Sequence, residues 1–207
     1  RLYCSFTAVS WDAAGVYRAV PILFDVNDEL APARWTRLRY GNAIEKNWVF
    51  FEHAGHLMCV YSLQPYVILR VEPITGACIE VCSQKVGFDW RYGYMRGSTP
   101  PVLVGDEYHA FFHSSVKIRR RRDGMIVRCY FSGYYRFRNA YPFTILGYSR
   151  EPILYTDEIG ANGKAVIFPC GAVRDGDAWL VSYGRQDSEC GIARIGDAQC
   201  MQSYTAF

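Results

Sequence analysis

Short apolar runs separated by polar turns recur along the whole chain. Alternation over so few residues between turn signals is typical of β-strands. Three segments share one pattern, in which two apolar strands flank a turn that contains Gly with Asp or His, and the second strand ends in Tyr or His. They are VFFEHAGHLMCVY (49–61), PVLVGDEYHAFFH (101–113) and GAVRDGDAWLVSY (171–183). The first residues, RLYCSFT, resemble the second half of this unit and are predicted to end their strand at Phe6 or Thr7.

Further strands are predicted between these hairpins. YVILRVEP (66–73) and ACIEVCS (77–83) flank one turn, and GMIVRCYFSGYYRF (124–137) and FTILGYS (143–149) flank another. No window has the spacing of a convincing amphipathic helix. The hairpin ends recur about every 50 to 70 residues, and repeats of short strands near this period indicate a β-propeller with four-stranded blades. A β-sandwich is the alternative, but it does not account for the recurring turn and terminal residue.

Length and composition agree with this all-β fold class. The 207 residues are 50% hydrophobic and 16% aromatic, which allows one sizeable core. We therefore expect a single β-propeller domain over residues 1–207. A closed five-bladed ring at this period needs on the order of 250 residues. The sequence thus predicts about three and a half to four blades, the C-terminal majority of a longer domain.

The charge pattern argues against two classes of partner. A net charge of +3 is too small to make attraction to nucleic acid the main function, so no nucleic-acid partner is expected. The run KIRRRRDG (117–124) lies between apolar strands and is predicted to be an exposed hairpin tip. No apolar run reaches the ~18–20 residues that span a bilayer, so no membrane partner is expected either. The oligomeric state is left open.

Eight cysteines occur in the chain, most of them within apolar runs. In such runs a free thiol behaves as a small hydrophobic side chain. Cys78 and Cys82 lack the second pair and the nearby histidine that a zinc site needs. We predict reduced core cysteines, no metal site and a cytoplasmic protein.

Four segments, in this order, carry a resemblance to a known family. They are EKNWVFFEHAGHLMCVYSLQP (45–65), RGSTPPVLVGDEYHAFFHSS (96–115), SREPIL (149–154) and FPCGAVRDGDAWLVSYGRQDS (168–188). Together they resemble the family 130 glycoside hydrolases and phosphorylases. The resemblance implies a five-bladed β-propeller that acts on β-mannosides. Most members cleave the β-mannosidic bond with inorganic phosphate to give mannose 1-phosphate, and a smaller group uses water. The resemblance therefore implies an enzyme with a mannose-containing oligosaccharide as partner and inorganic phosphate as co-substrate, without another cofactor.

The resemblance also implies the site residues. Asp187, in YGRQDS, stands where the family has an aspartate that binds hydroxyls of the mannose beside the cleaved bond. Either Tyr94 or Arg96 stands at a phosphate-binding position, depending on how one gap is placed. The predicted substrate-binding residues are Asp187, Tyr183, His113, Tyr130, Gln64 and Thr99, and the predicted phosphate-binding residues are Lys46 and Arg96.

The catalytic acid is the main departure from the family pattern. Inverting cleavage needs a carboxylic acid that protonates the leaving oxygen. The family has this acid in a Glu-Asp-Pro-Arg motif, which does not occur in this sequence, so the acid is expected upstream of Arg1. Gln64 also stands where the family has a basic residue. The alternative is therefore a catalytically silent propeller that binds a glycan or a protein.

Overall fold

The computed structural model describes residues 2–11, 13–27, 29 and 31–207. Its strands form four sheets in chain order. The first sheet contains β1 (Leu2–Trp11), β2 (Tyr17–Val26) and β3 (Pro32–Arg37). The second contains β4 (Val49–His53), β5 (His56–Leu63), β6 (Tyr66–Val71) and β7 (Cys78–Gln84). Both sheets are antiparallel meanders, which is the order of strands in a propeller blade.

The third sheet is the largest. It contains β8 (Arg96–Gly97), β9 (Val102–Val104), β10 (Glu107–Arg119), β11 (Ile126–Arg138), β12 (Ile145–Ser149), β13 (Leu154–Tyr155) and β14 (Lys164–Ala165). The fourth sheet contains β15 (Ile167–Asp175), β16 (Ala178–Arg185) and β17 (Glu189–Gly196), and is followed by helix α1 (Asp197–Met201). The last strand, β18 (Tyr204–Ala206), returns to the third sheet and pairs with β12. Strand β14 runs parallel to β11, and the other pairs between the named strands of the described residues are antiparallel.

The predicted hairpins are confirmed as β4–β5, β9–β10 and β15–β16, and the predicted outer strands as β6, β7, β11 and β12. The glycines that recur in the three turns, Gly55, Gly105 and Gly176, all have positive φ. Only glycine takes this conformation without strain, and the tight turn therefore explains the repeat in the sequence. Strand β1 differs from the prediction, because it continues beyond Thr7 and pairs with β2 as far as Trp11.

Each sheet packs against the next one along the chain. Leu23 of the first sheet shares a cluster with Leu69 of the second. Phe51 of the second packs against Tyr108 of the third, with ring centres 4.8 Å apart. Phe111 of the third joins Trp179 of the fourth. The hydrophobic core is thus a series of layers between neighbouring sheets, as in a propeller.

All eight cysteines are free thiols, but not all belong to the core. Five are buried or half-buried as predicted: Cys59, Cys82, Cys200, Cys78 and Cys129. Cys4, Cys170 and Cys190 are exposed, which corrects the prediction for them. An apolar run identifies a strand, but the pairing decides which face a side chain takes.

In the described part of the chain, no group of three or more His, Cys, Asp or Glu residues is placed to hold a metal ion. No helix there has the length and apolar character needed to cross a bilayer.

Candidate functional site

The first strands of the four sheets border one central cavity of about 980 Å³. Its wall includes Tyr3 from β1, Val49 from β4, Ser98 from the segment between β8 and β9, and Phe168 from β15. Strands β8 and β9 both pair with β10, so residues 96–104 act as one interrupted inner strand. The interruption contains two prolines, which have no amide hydrogen to donate to a sheet.

Next to the wall of this central cavity, strand ends that are far apart in sequence come together. The side-chain oxygen of Gln64, just after β5, accepts a hydrogen bond of 2.9 Å from the Met95 amide, just before β8. The Tyr94 hydroxyl donates to the Gln64 carbonyl. The ring of Phe168, at the start of β15, lies 4.3 Å from the ring of His113 in β10.

A smaller cavity of about 360 Å³, here called the mouth cavity, lies among these strand ends. Its wall includes Glu45, Lys46, Tyr61, Tyr94 and Arg96. The Arg96 guanidinium lies 5.2 Å from the Tyr94 ring centre and donates to the Tyr94 carbonyl at 3.3 Å. Neither Lys46 nor Arg96 forms an ion pair with a carboxylate of the described residues. Two unpaired cations thus border a cavity large enough for a phosphate group.

His113 lies beside Arg96, its partner in the β8–β10 pairing. Its side chain is buried, the Ser98 Oγ lies 2.8 Å from its Nδ1, and Tyr130 stacks against it at 6.4 Å between ring centres. Burial and the nearby positive charges of Arg96 and Lys46 lower the pKa of His113 to about 3. The imidazole is therefore neutral near pH 7.

Glu45 is a site residue that the sequence reasoning missed. Its buried carboxylate accepts hydrogen bonds from the Asn42 amide at 2.6 Å, the Trp48 indole at 3.2 Å and the Tyr61 hydroxyl at 3.1 Å. These bonds hold the segment that carries Lys46. Burial and the Glu45 carboxylate raise the pKa of Tyr61 to about 12, so this hydroxyl remains a donor. The sequence signal that could have identified Glu45 is its position directly before Lys46 and three residues before Trp48.

Thr99 does not reach either cavity. Its side chain is fully buried, and its hydroxyl accepts a hydrogen bond of 2.9 Å from the Phe111 amide. The Thr99 amide also donates a hydrogen bond to the Phe111 carbonyl, so Thr99 holds the interrupted inner strand against β10. Because no surface of Thr99 is left for a ligand, its predicted contact with substrate is corrected to a structural role.

Asp187 lies in the turn between β16 and β17, Tyr183 lies within β16, and neither belongs to the wall of the mouth cavity. The Asp187 side chain is exposed, 3.6 Å from the Lys164 ammonium and 3.3 Å from the Asn162 amide nitrogen. Tyr183 lies over the glycine opposite it in β17, Gly191, where an added Cβ would be 2.6 Å from its hydroxyl. The structure therefore brings together Lys46, Arg96, His113, Tyr130 and Gln64, and leaves Asp187 and Tyr183 outside this group.

No protein-family model and no curated protein sequence matches this chain. Solved structures do match it. The β-1,2-mannobiose phosphorylase of Listeria innocua, in complex with β-1,2-mannobiose, aligns with a TM-score of 0.64 and 15% identity. The alignment covers 97% of this chain and 56% of that one. The chain is a β-propeller of the glycosidase type.

Two further structures agree with this fold. One belongs to the GH130 family of mannoside phosphorylases, which contains glycoside hydrolases that target β-1,2-mannosidic linkages in Candida mannan (TM-score 0.62, 14% identity). The other is a glycosyl hydrolase from Bacteroides ovatus (TM-score 0.59, 15% identity). Each alignment covers 93% of this chain and 61% of the other. The resemblance to family 130 is thus confirmed for the fold. This propeller spans about 56–61% of the length of the three proteins.

Proposed function

We propose that this propeller supplies the phosphate- and sugar-binding mouth of a β-mannoside phosphorylase. One observation carries the proposal: Lys46 and Arg96 share the wall of the mouth cavity, without carboxylate partners, beside a neutral His113. A multiply charged phosphate needs charge-assisted hydrogen bonds of this kind, and the planar guanidinium can bind two of its oxygens at once.

In the proposed reaction, phosphate held by Lys46 and Arg96 attacks the anomeric carbon on the face opposite the leaving sugar. Phosphate is itself the nucleophile, so the chain needs no general base to activate water. The neutral imidazole of His113 is proposed to exchange hydrogen bonds with the sugar without repelling the two cations. Asp187, in the turn between β16 and β17, is proposed to accept two mannose hydroxyls, which would select the epimer.

The acid that protonates the leaving oxygen is proposed to come from outside residues 1–207. Glu45 is the one carboxylate among the described residues that line the mouth cavity. Its two oxygens already accept three hydrogen bonds, which suits a residue that positions Lys46 rather than one that delivers a proton.

The test is incubation of the full-length protein with β-1,2- or β-1,4-linked mannobiose, with and without phosphate. We expect mannose 1-phosphate only when phosphate is added. Lys46→Gln and Arg96→Gln should each raise the KM for phosphate about 10- to 100-fold, the loss of one charge-assisted hydrogen bond. Arg70→Gln removes an exposed cation elsewhere and should leave KM unchanged. Free mannose without phosphate would indicate a hydrolase, and absence of both products would reject the enzyme.

A catalytically silent propeller is the second candidate, and Gln64 favours it. The side-chain oxygen of Gln64 accepts a hydrogen bond from the Met95 amide. Because Gln64 is neutral, it adds no positive charge to the mouth cavity. In this case, calorimetry on the full-length protein would detect binding of a mannooligosaccharide that phosphate does not convert.

A further inference from the structure

The positive charge of this propeller is concentrated in one hairpin. Residues 117–128 contain six cationic residues and one acidic residue, a net charge of +5. The whole chain has +3, so all other residues together have −2. This segment, here called the basic hairpin, comprises the ends of β10 and β11 and the turn between them.

Most of this charge is available to a partner. The acidic residue, Asp123, pairs with Arg120 and lies 3.7 Å from Arg122. The side chains of Lys117 and Arg121 have no hydrogen-bond or ion-pair partner among the described residues. The single carboxylate of Asp123 thus neutralises little of the positive charge at the tip of the basic hairpin.

Exposed aliphatic side chains lie on the same hairpin as these cations. Ile118, Met125 and Ile126 have 43%, 40% and 56% of their surface exposed. Ile126 lies directly opposite Arg119 in the β10–β11 pairing. Arginines that only keep a protein soluble do not need apolar neighbours, whereas a surface that enters the bilayer interface needs both kinds of side chain.

The basic hairpin rises from the end of the propeller that carries the mouth cavity. His113 and Ser115 precede it on β10, and Tyr130 follows it on β11. A second hairpin, β1–β2, is connected to the mouth wall, because the Glu45 amide donates a hydrogen bond to the Ala19 carbonyl of β2. The tip of this hairpin exposes Trp11 and Tyr17, whose rings lie 5.6 Å apart. Trp and Tyr are the side chains that concentrate at the level of lipid headgroups.

We propose that this end of the propeller docks onto a membrane surface rich in anionic lipids. The arginines and Lys117 would contact headgroup phosphates, and Met125 and Ile126, next to the turn, would enter the interface. Clusters of four to eight cations are typical of such surface contacts. Single-stranded nucleic acid is disfavoured, because residues 117–128 contain no aromatic side chain on which a base could stack. We expected no membrane partner because no segment can span a bilayer, but a surface contact needs no such segment.

The test is co-sedimentation of the full-length protein with vesicles of phosphatidylcholine alone or mixed with phosphatidylserine in equal parts. We expect binding to the mixed vesicles that weakens as salt rises. Each hairpin cation is worth about a fivefold change in affinity, so Arg121→Gln with Arg122→Gln should weaken binding roughly 25-fold. The matched control, Arg70→Gln with Arg138→Gln, removes the same charge from exposed strand positions outside the hairpin and should bind like the unmodified protein. Ile126→Ser should weaken binding at every salt concentration, since its contribution is apolar.

Three results would overturn the proposal. The first is equal binding to both kinds of vesicle. The second is an equal loss in the hairpin variant and in its control. The third is the absence of vesicle binding together with binding of single-stranded RNA that depends on Arg121 and Arg122. Since none of these measurements uses mannoside turnover, the outcome is independent of the proposed enzyme activity.

Discussion

The Oγ of Ser98 lies 2.8 Å from Nδ1 of His113, and neither side chain is exposed. Ser98 belongs to the interrupted inner strand and borders the central cavity, whereas His113 lies in β10 beside Arg96 of the mouth cavity. The contact therefore connects the walls of the two cavities. It also fixes the orientation of an imidazole that burial keeps neutral.

We expect acid to destabilise the protein through His113 and His109. Burial is the main cause that lowers the pKa of His113 to about 3 and that of His109 to about 4, from 6.5. Between these values and 6.5 the unfolded chain binds more protons than the folded one, so stability falls as pH decreases through that window. The slope is at most about 1.4 kcal/mol per pH unit for each histidine. Urea unfolding of His113→Gln and His109→Gln should each show a smaller loss between pH 6.5 and pH 4, and an unchanged slope in both would refute the effect.

Arg96→Lys should separate charge from geometry at the mouth cavity. Lysine keeps the positive charge but loses the planar fork and the contact with the Tyr94 ring. We expect phosphate affinity between those of the unmodified protein and Arg96→Gln, as measured by calorimetry or by KM. Equal affinities for Arg96→Lys and Arg96→Gln would show that charge at this position is irrelevant.

Gly41→Ala should be more damaging than Gly55→Ala. Both glycines have nearly the same positive φ, 79° and 78°. A Cβ at Gly41 would overlap the Glu45 carboxylate and lie 2.9 Å from the Tyr61 hydroxyl, whereas a Cβ at Gly55 would meet nothing within 4 Å. The shared backbone strain costs about 1–2 kcal/mol in each variant. Urea midpoints should therefore show an additional loss of about 1–3 kcal/mol at Gly41 alone. Equal losses would mean that Glu45 moves aside freely.

Arg136→Gln should weaken the attachment of the last strand, β18, to the third sheet. The Arg136 guanidinium donates to the Tyr204 hydroxyl at 3.0 Å, lies 4.6 Å from the ring centre and pairs with Glu107 at 2.9 Å. We expect a loss of about 2–3 kcal/mol and faster amide exchange in β18. Arg138→Gln, two residues further on the same strand, is the control, since Arg138 is exposed and has no side-chain partner in the described part. Unchanged exchange at β18 would contradict the role of Arg136.

Asp187→Asn tests the proposed sugar ligand. The contacts of Asp187 with Lys164 and Asn162 lie at the surface, and such pairs contribute about 0–1 kcal/mol. Asparagine also tolerates the positive φ of this position. Stability should therefore change little, while mannoside affinity falls at least about tenfold, the loss of a charge-assisted hydrogen bond. Unchanged affinity for the mannoside would leave Asp187 as a turn residue.

The repeating pattern of apolar runs and glycine turns was enough to predict the three hairpins and the outer strands β6, β7, β11 and β12, but it did not identify β2 or β3. The turn at Gly55 and the long β10–β11 hairpin both follow from local chemistry, because a positive φ or a charged tip needs no information from distant residues. The predicted end of β1 near Thr7 was wrong because pairing with β2 extends the strand to Trp11. Pairing with a neighbour is a tertiary effect that a strand's own residues do not contain.

By itself, the sequence determined the all-β class and the repeat, and the family resemblance supplied Lys46, Arg96, His113, Tyr130 and Gln64 as candidates for the site. The tertiary structure decided how each member is used. Thr99 and Lys46 are both polar residues next to predicted strands, yet Thr99 is buried against Phe111 and Lys46 is exposed in the wall of the mouth cavity. Glu45 became a site residue only because Trp48 and Tyr61 turn toward it. Local sequence sets backbone preference, but burial, charge pairing and access depend on which distant residues the packed sheets bring together.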